Sequence, residues 1–369
     1  MTNKDEPRNP MTTDQAKAFR RKLLTWYRKH RRDLPWRAMN DRPVNPYHVL
    51  LSEAMLQQTQ VATVIPYFHR FTEAFPTVQA LADADEQEVL TLWQGLGYYR
   101  RARNLHAAAK VIVNEHAGQV PATVAVLLGL PGVGRYTAGA IASIAHGTQA
   151  AVVDGNVERV FARLFHLTDP INAPATKKYV WSIADTLVPK SNPGDYNQAV
   201  MELGATICTP KLPKCFVCPV REHCRAISET NPETLPIKLA KKKPKDVTHV
   251  VIAAERNGKY LFEQRPAEGL WSNMWQLPTW EEPPNQQSPA TLAIWFKERF
   301  GILLEQVYQS TYFTHQTTHR TIQFEVFHAS VAQGRLKAKT GVWHRLDSLK
   351  DMPLSNPQIK IAEHIGLDT

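Results

Sequence analysis

Leu130-Pro131-Gly132-Val133-Gly134-Arg135-Tyr136-Thr137-Ala138 is the stretch on which the reading of this 369-residue chain turns. Val124, Val126, Leu127 and Leu128 before it are apolar enough for a short buried helix, and residues 136–145 after it are rich in small side chains suited to close packing. The pattern predicts a helix, a tight hairpin and a second helix. Two glycines around one apolar residue give a sharp turn with exposed backbone N–H groups, because glycine accepts positive φ and lets another backbone approach. Such a hairpin, opening into a helix N-terminus, can hold a phosphate without a cationic side chain, which makes Gly132, Val133 and Gly134 candidate binding residues. Twenty residues after Gly134, Asp154 stands where two β-branched residues end and an apolar-periodic run (Val157, Val160, Phe161, Leu164) begins. That is an N-cap position. A carboxylate facing the same groove as an anion-binding hairpin opposes the ligand, and capping alone does not call for that.

Working outward, Leu51-Ser52-Glu53-Ala54-Met55-Leu56-Gln57-Gln58-Thr59-Gln60 carries the periodicity of a buried helix through Val49, Leu50, Ala54, Leu56, Val61 and Val64. A glutamate among those residues is costly unless it is paired or functional. Burial raises a carboxyl pKa, so Glu53 is either a proton donor near neutral pH or the partner of an arginine. Upstream, a helix from Asp14 with Phe19, Leu23, Trp26, Tyr27 and His30 on one stripe ends near Arg31-Arg32-Asp33. Leu34-Pro35-Trp36-Arg37 breaks it, and Trp36 beside a basic pair reads as a core anchor or as a base-stacking wall. Downstream, residues 83–93 read as a helix with Asp85 and Glu88 spaced as a capping box, running into Gly95-Leu96-Gly97-Tyr98-Tyr99-Arg100-Arg101-Ala102-Arg103. On a nucleic-acid binder this turn is a wedge with phosphate contacts behind it, with Tyr98 as the wedge and Tyr99 as packing.

A net charge of +10 and a pI near 9.4 suit a polyanionic partner, and 369 residues exceed what one core usually supports. No apolar run approaches bilayer-spanning length and the first residues lack the pattern of a signal peptide, so the expectation is a soluble, intracellular protein without a membrane partner. The four cysteines, Cys208, Cys215, Cys218 and Cys224, are separated by six, two and five residues. Disulfides do not suit an intracellular chain, and a redox Cys-x-x-Cys would want a βαβ context. Zinc sites usually offer two close pairs, whereas these residues offer one pair flanked by two singles. Zinc remains possible, and four thiolates also suit an iron–sulfur cluster. Lys211 and Lys214, between the first two cysteines, give the loop a basic surface for phosphates.

Residues 229–246 turn polar and proline-rich with the run Lys241-Lys242-Lys243, and read as a linker. Beyond it the period changes to two. Val247, His249, Val251 and Ala253 alternate, Tyr260-Leu261-Phe262 follows across Asn257-Gly258, residues 290–300 read as a helix and residues 321–331 as a further strand.

Leu-Pro-Gly-Val-Gly-x-x-Thr-Ala with a downstream Val-Asp resembles the helix-hairpin-helix DNA glycosylases. Ser52-Glu53-x-Met55-Leu56-Gln57-Gln58-Thr59 closely resembles the signature of the MutY-type adenine DNA glycosylases, and the cysteine spacing is similar to the 4Fe-4S loop of endonuclease III and its adenine-specific relatives. The last domain, with Gly269-Leu270-Trp271 and Trp275-Gln276-Leu277-Pro278, resembles their Nudix-like C-terminal domain but lacks the Arg-Glu and paired-Glu cluster that would hold Mg²⁺. The resemblance covers the chain from about Ala16 onward. It implies a multidomain protein: a polar tail over 1–13, an all-α helix-hairpin-helix glycosylase region over 14–228 with one 4Fe-4S cluster in its 208–224 loop, a linker over 229–246, and an α+β Nudix-like lesion-recognition domain over 247–369. The implied activity is monofunctional hydrolysis of the N-glycosidic bond of adenine mispaired with 8-oxoguanine or guanine in double-stranded DNA, by a monomer in the nucleoid of the bacterial cytoplasm.

Carried onto this sequence, the resemblance makes Glu53 the proton donor and Asp154 the group that stabilises the cationic sugar, electrostatically or as a transient covalent partner, with Tyr136 and Asn156 orienting them. It gives Arg32, Trp36 and Gln198 to the adenine pocket. DNA binding falls to Gln58, Thr59, Tyr98, Gly132, Val133, Gly134, Lys211 and Lys214, with Gln58 and the Tyr98 turn probing the base opposite the target. Two departures stand out. Where the family typically carries Phe-Ser-His, this chain has Thr317-Thr318-His319, which leaves Thr318 and His319 as lesion readers, and residues 38–45 form a longer loop than usual. A bifunctional glycosylase/lyase of the endonuclease III class needs a lysine where this chain has Tyr136, and a hydroxyl cannot form a Schiff base. The remaining alternative is a non-catalytic, cluster-bearing DNA-binding protein in which Glu53 and Asp154 are structural.

Overall fold

The computed structural model describes residues 11–37, 44–240, 243–283, 287–337 and 341–367. Most of the expected polar tail, the 38–43 part of the long loop, and Lys241-Lys242 of the basic run lie outside the described residues. Helices come first: α1 (Thr13–His30), α2 (Pro46–Leu56), α3 (Val61–Ala74), α4 (Val78–Asp83), α5 (Glu86–Trp93), α6 (Arg100–Glu115), α7 (Val124–Leu127), α8 (Arg135–His146), α9 (Gly155–Leu164), α10 (Pro174–Leu187), α11 (Pro193–Thr206) and α12 (Arg225–Glu229). Strands β1 (Lys245–Arg256), β2 (Lys259–Gln264), β3 (Trp275–Gln276) and β4 (Thr279–Glu281) follow, then α13 (Pro289–Phe300), β5 (Ile302–Gln316), β6 (Arg320–Gly334), β7 (Gly341–His344) and α14 (Asn356–Leu367). Two compact units result: Met1–Asp83 with Asn104–Ala240, and Ala84–Arg103 with Lys241–Thr369.

In the helical unit α1 starts with a Thr12/Gln15 capping box and buries Ala16, Phe19, Leu23 and Tyr27. Trp26 is only partly buried and His30 is exposed, so the apolar stripe is narrower than the sequence suggests and the two rings stack on its flank, 6.0 Å apart. Phe19, Leu23 and Tyr27 share a core with Val157, Val160 and Phe161 of α9, Ile183 and Leu187 of α10, and Tyr196, Val200 and Leu203 of α11. The 3.6-residue period of α9 thus presses its apolar face into the middle of the unit and leaves its first turn at the margin. The segment read as a linker is in part packed here: Leu235 is buried and its carbonyl accepts from Arg163 Nε at 3.0 Å. Its proline-rich composition conceals one leucine that finds a core.

The second unit is built on a mixed sheet with path β3-β2-β1-β6-β5, where β1 is antiparallel to β2 and parallel to β6. The β1–β2 turn uses Asn257 and Gly258 at φ 53° and 71°, the left-handed pair of a two-residue hairpin. Helices cover both faces. Val247, Val251, Ala253, Phe324 and Val326 pack with Ile361 and Ile365 of α14, while Val250, Ile252 and Ala254 pack with Leu292, Phe296 and Phe300 of α13. This two-sided cover makes residues 250–254 continuously buried where one-sided alternation was expected. The 84–103 stretch groups with this unit through Asn273 Nδ2 donating to Glu86 Oε1 at 2.7 Å, Arg103 Nη1 donating to Ser272 O at 2.7 Å, and the buried Tyr99 hydroxyl donating to Leu354 O at 3.2 Å.

Candidate active site

Helix α2 presents the first carboxylate. Asn45 caps it, accepting from Tyr47 N at 2.9 Å, Pro46 occupies the first turn, and the helix is buried through Tyr47, Val49, Leu50, Leu51, Ser52, Glu53 and Met55. Glu53 is 6 % exposed and its Oε2 has no hydrogen-bond partner. Burial pushes its pKa up to about 7, with the Tyr136 hydroxyl and Arg37 pulling it down and Asp154 pushing it further up. Immediately after the helix, Gln58 is exposed in the left-handed region at φ 60° beside Thr59, a strained placement for a non-glycine residue.

The second wall is the hairpin between α7 and α8. Gly132 sits at φ 74°, and a Cβ there would come within 2.5 Å of Asn104 Cβ, so both the turn and the packing demand glycine. Gly134 is different: its backbone is extended, φ −93°, and an added Cβ would meet nothing within 4 Å. The buried Val133 between them bonds its N–H to Leu130 O at 3.1 Å, and the first N–H groups of α8 have no intrahelical partner. Tyr136, in the first turn of α8, directs its hydroxyl at Met201 Sδ, 3.6 Å away, and feels both carboxylates: burial, then Glu53 and Asp154, hold its pKa well above the usual value.

Asp154 caps α9 as its sequence position predicts, with φ −101° and ψ −178°. One oxygen accepts from Val157 N at 2.7 Å and the other from Asn156 Nδ2 at 2.8 Å. Burial raises its pKa, while those hydrogen bonds and Arg159 pull it down. Close packing fixes the geometry, since a Cβ at Gly139 of α8 would collide with Ala151 O and one at Gly204 of α11 would come within 2.7 Å of Asn156 Cβ. Glu53, Tyr136, Asp154 and Asn156, four residues separated by up to 103 positions, are thereby gathered from three helices.

Sequence reasoning missed two arginines that extend this group. Arg159, 9 % exposed, donates through Nη2 to Asn156 Oδ1 at 2.9 Å and through Nε to Cys208 O at 2.8 Å. Arg163, 1 % exposed, donates to Thr209 O at 2.7 Å and Pro210 O at 3.0 Å and lies 3.4 Å from Cys208 Sγ. The available signal was a pair of arginines four apart inside an apolar run, which puts both on one helix face. The loop they brace holds the four free cysteines, each partly buried, three of them against the helical core. The thiols feel one another: burial raises the pKa of Cys215, Cys218 and Cys224, with charge on neighbouring cysteines adding to it, and Cys218 is pushed up to about 12. Among the described residues no three His, Cys, Asp or Glu are grouped to hold a metal ion. Four thiols that feel one another's charge on one loop are a donor set that could hold a metal centre by four-thiolate ligation. Lys211 and Lys214 are exposed on this loop.

The other expected site residues are placed as follows. Trp36 is buried edge-on against Phe68 at 5.3 Å. Arg32 donates through Nε and Nη2 to the buried Glu202 at 2.6 and 3.0 Å. Gln198 lines a cavity of about 250 Å³ with Arg31, Arg37, Ser143 and Asp195, and neither Glu53 nor Asp154 is in its lining. Tyr98, 49 % exposed at φ 50°, belongs to the second unit, and Arg101 beneath its ring turns inward to donate to Leu96 O and Gly97 O. Arg101 is therefore a brace of the turn and not a phosphate contact. Thr318 and His319 are exposed at the tip of the β5–β6 hairpin, where His319 O accepts from Lys245 N at 2.9 Å.

Residues 51–185 match the family described as HhH-GPD superfamily base excision DNA repair protein, and residues 249–364 match the NUDIX domain family. Over 349 residues the chain is 32 % identical to the adenine DNA glycosylase of Buchnera aphidicola subsp. Schizaphis graminum, an alignment covering 94 % of this chain and 98 % of that one. The chain belongs to the adenine DNA glycosylase family. It is also 39 % identical over 330 residues to the human adenine DNA glycosylase, covering 75 % of this chain and 60 % of that protein, so it spans about 60 % of the length of that relative. Among solved structures, a thermostable thymine-DNA glycosylase superposes with a TM-score of 0.51 at 31 % identity, over 58 % of this chain and 97 % of that one. Among the described residues no helix is long and apolar enough to cross a membrane.

Proposed function

We propose that this member of the family removes adenine from double-stranded DNA where it is mispaired with 8-oxoguanine or guanine, acting as a monomer wherever that DNA is housed, the bacterial cytoplasm and its nucleoid. The observation that carries the reading is the pairing of Glu53, buried with an unpartnered oxygen and a pKa of about 7, with Asp154, hydrogen-bonded and electrostatically in reach. Two carboxyl groups in different protonation states are what breaking a glycosidic bond requires. The adenine leaves the stack, because its ring nitrogens cannot be reached inside the duplex. Glu53 gives its proton to N7, the N9–C1′ bond breaks with its electron pair going to the base, and Asp154 stabilises the cationic sugar until water adds at C1′ and releases a proton. Tyr136 and Asn156 hold the two carboxyl groups in place, and the absence of an amine at position 136 leaves the sugar hydrolysed and the strand uncut.

The DNA is held by the hairpin at Gly132, Val133 and Gly134 as it opens into the head of α8, by Lys211 and Lys214, and by Gln58, Thr59 and Tyr98 at the emptied position and opposite it. Arg32, Trp36 and Gln198 belong to the adenine pocket, and Thr318 and His319 read the lesion. Cys208, Cys215, Cys218 and Cys224 would hold one 4Fe-4S cluster, which when bound cross-links the loop that carries the two lysines. Wild-type protein should release free adenine from a duplex with A opposite 8-oxoguanine, while Glu53→Gln binds that duplex and releases none. Excision by Glu53→Gln at the wild-type rate would refute the assignment.

A further inference from the structure

The helical unit buries a further carboxylate that the reaction does not use. Glu202 of α11 is 1 % exposed and accepts from Arg32 N at 3.2 Å, Arg32 Nε at 2.6 Å, Arg32 Nη2 at 3.0 Å and Arg37 Nη2 at 2.8 Å. Arg37 is held a second time, Nη1 donating to Arg32 O at 3.1 Å, and its guanidinium lies 5.7 Å from the Tyr27 ring centre. One carboxylate thus fixes two guanidiniums in the cavity-lining loop after α1. Although burial opposes it, the two arginines win and hold Glu202 below the usual carboxylate range, so it stays charged.

We propose that Glu202 is a positioning residue for the Glu53 acid: by tying down and neutralising Arg37, it keeps that cation from acting on the Glu53 carboxyl. The groups facing Glu53 are Tyr136 from α8, Asp154 from the head of α9, and Arg37 from the loop after α1. Among them Arg37 is the cation, and a cation in reach of a carboxyl favours its ionised form. Asp154 acts in the opposite sense, and Glu202 reaches Glu53 through Arg37. The triad's net charge is +1 with Glu202 ionised, and it becomes +2 when Glu202 is replaced by a neutral residue. A buried ion triad is weak evidence of stabilisation in itself, since packed apolar residues often serve as well. A role in setting a neighbour's charge explains why a carboxylate occupies this place.

The inference rests on the reading of Glu53 as the acid, and the test separates the two. The Glu53 carboxyl is followed by ¹³C NMR in the DNA-free protein, its signal identified by its loss in Glu53→Gln, and single-turnover adenine excision is measured across pH in parallel. Glu202→Gln should lower the Glu53 titration by about one pH unit, moving the alkaline limb of excision with it, so that activity above pH 7 falls roughly tenfold while the acid plateau persists. A Glu53 titration that stays in place or rises in Glu202→Gln overturns the proposal, whatever the excision rate does. Should Glu202→Gln fail to fold, Arg37→Met is compared with the apolar pair Glu202→Met/Arg37→Met. With the cation gone from both, Glu53 should titrate alike in the two and no lower than in wild type, and a lower titration in the pair than in the single variant overturns the proposal. Wild-type protein that excises no adenine, with the titration shifts intact, would instead refute the proposed function.

Discussion

Glu53 in the helical unit and Glu263 in the sheet unit are both buried glutamates, 6 % and 4 % exposed, but they live in different company. Glu263 accepts from Gln276 Nε2 at 3.0 Å, Thr279 N at 3.3 Å and Arg299 Nη2 at 2.7 Å, so both its oxygens are used. Glu53 has an oxygen without a partner, and burial pushes its pKa up to about 7. A carboxylate with every lone pair engaged belongs to the architecture. One that the fold leaves short is held ready to carry a proton, and the fold bears the cost elsewhere.

The largest effect that would sharpen this contrast is on the reaction. Glu53→Gln keeps the shape and removes the transferable proton, so single-turnover excision should drop by about 10²–10⁴-fold. Glu263→Gln should leave the rate per folded molecule within a few fold. Equal loss in both would mean that the contrast in hydrogen bonding carries no functional meaning. On stability the two should trade places. Glu263→Ala strands Gln276 and Thr279 N inside the sheet and should cost about 2–3 kcal/mol in urea unfolding.

Glu53→Gln should do the reverse, in a pH-dependent way. The folded protein holds this proton up to about pH 7, while an ordinary glutamate releases it near 4.5. Between those values the native state binds more protons, so stability is greatest below pH 4.5 and falls as pH rises toward 7. The loss is on the order of 3 kcal/mol at pH 8, and Glu53→Gln, free of it, should be more stable than wild type there and not at pH 4.5. A gain that is the same at both pH values would show that the benefit is packing and not charge.

What was legible in the sequence was local. The hairpin, the Asp154 cap and the burial of α2 each depend on residues within a turn or two of one another, and each is where periodicity and turn chemistry put it. What was missed depends on chain distance. Arg159 reaches Cys208 across 49 residues and Arg32 reaches Glu202 across 170, and no local pattern records such partners. The parallel pairing of β1 with β6 is also non-local and decides that β1 is covered on both faces. The long edge strand β5, with register shifts between Leu303/Leu304, Glu305/Tyr308 and Gln309/Thr311, escaped for a related reason: bulges break the period of two that identifies a strand.

The smallest effect separates the two glycines of the hairpin. Gly132→Ala meets both a left-handed φ and the Asn104 side chain, and should cost about 1–2 kcal/mol of stability. Gly134→Ala meets neither an unfavourable φ nor a neighbouring atom, so thermal unfolding should change by less than about 1 kcal/mol, the loss expected from alanine at a helix N-cap. If position 134 is nevertheless glycine because a phosphate comes close to it, the added methyl should weaken duplex binding while folding is untouched. Salt then tells this contact from the lysines. Backbone N–H groups release no counterion of their own, so Gly134→Ala should shift log K at every salt concentration without altering its slope against log salt. Lys211→Ala or Lys214→Ala should each reduce that slope by about one. A Gly134→Ala protein that folds and binds duplex as wild type does would leave Gly134 with no role in folding or binding, and would move the phosphate contact away from the hairpin.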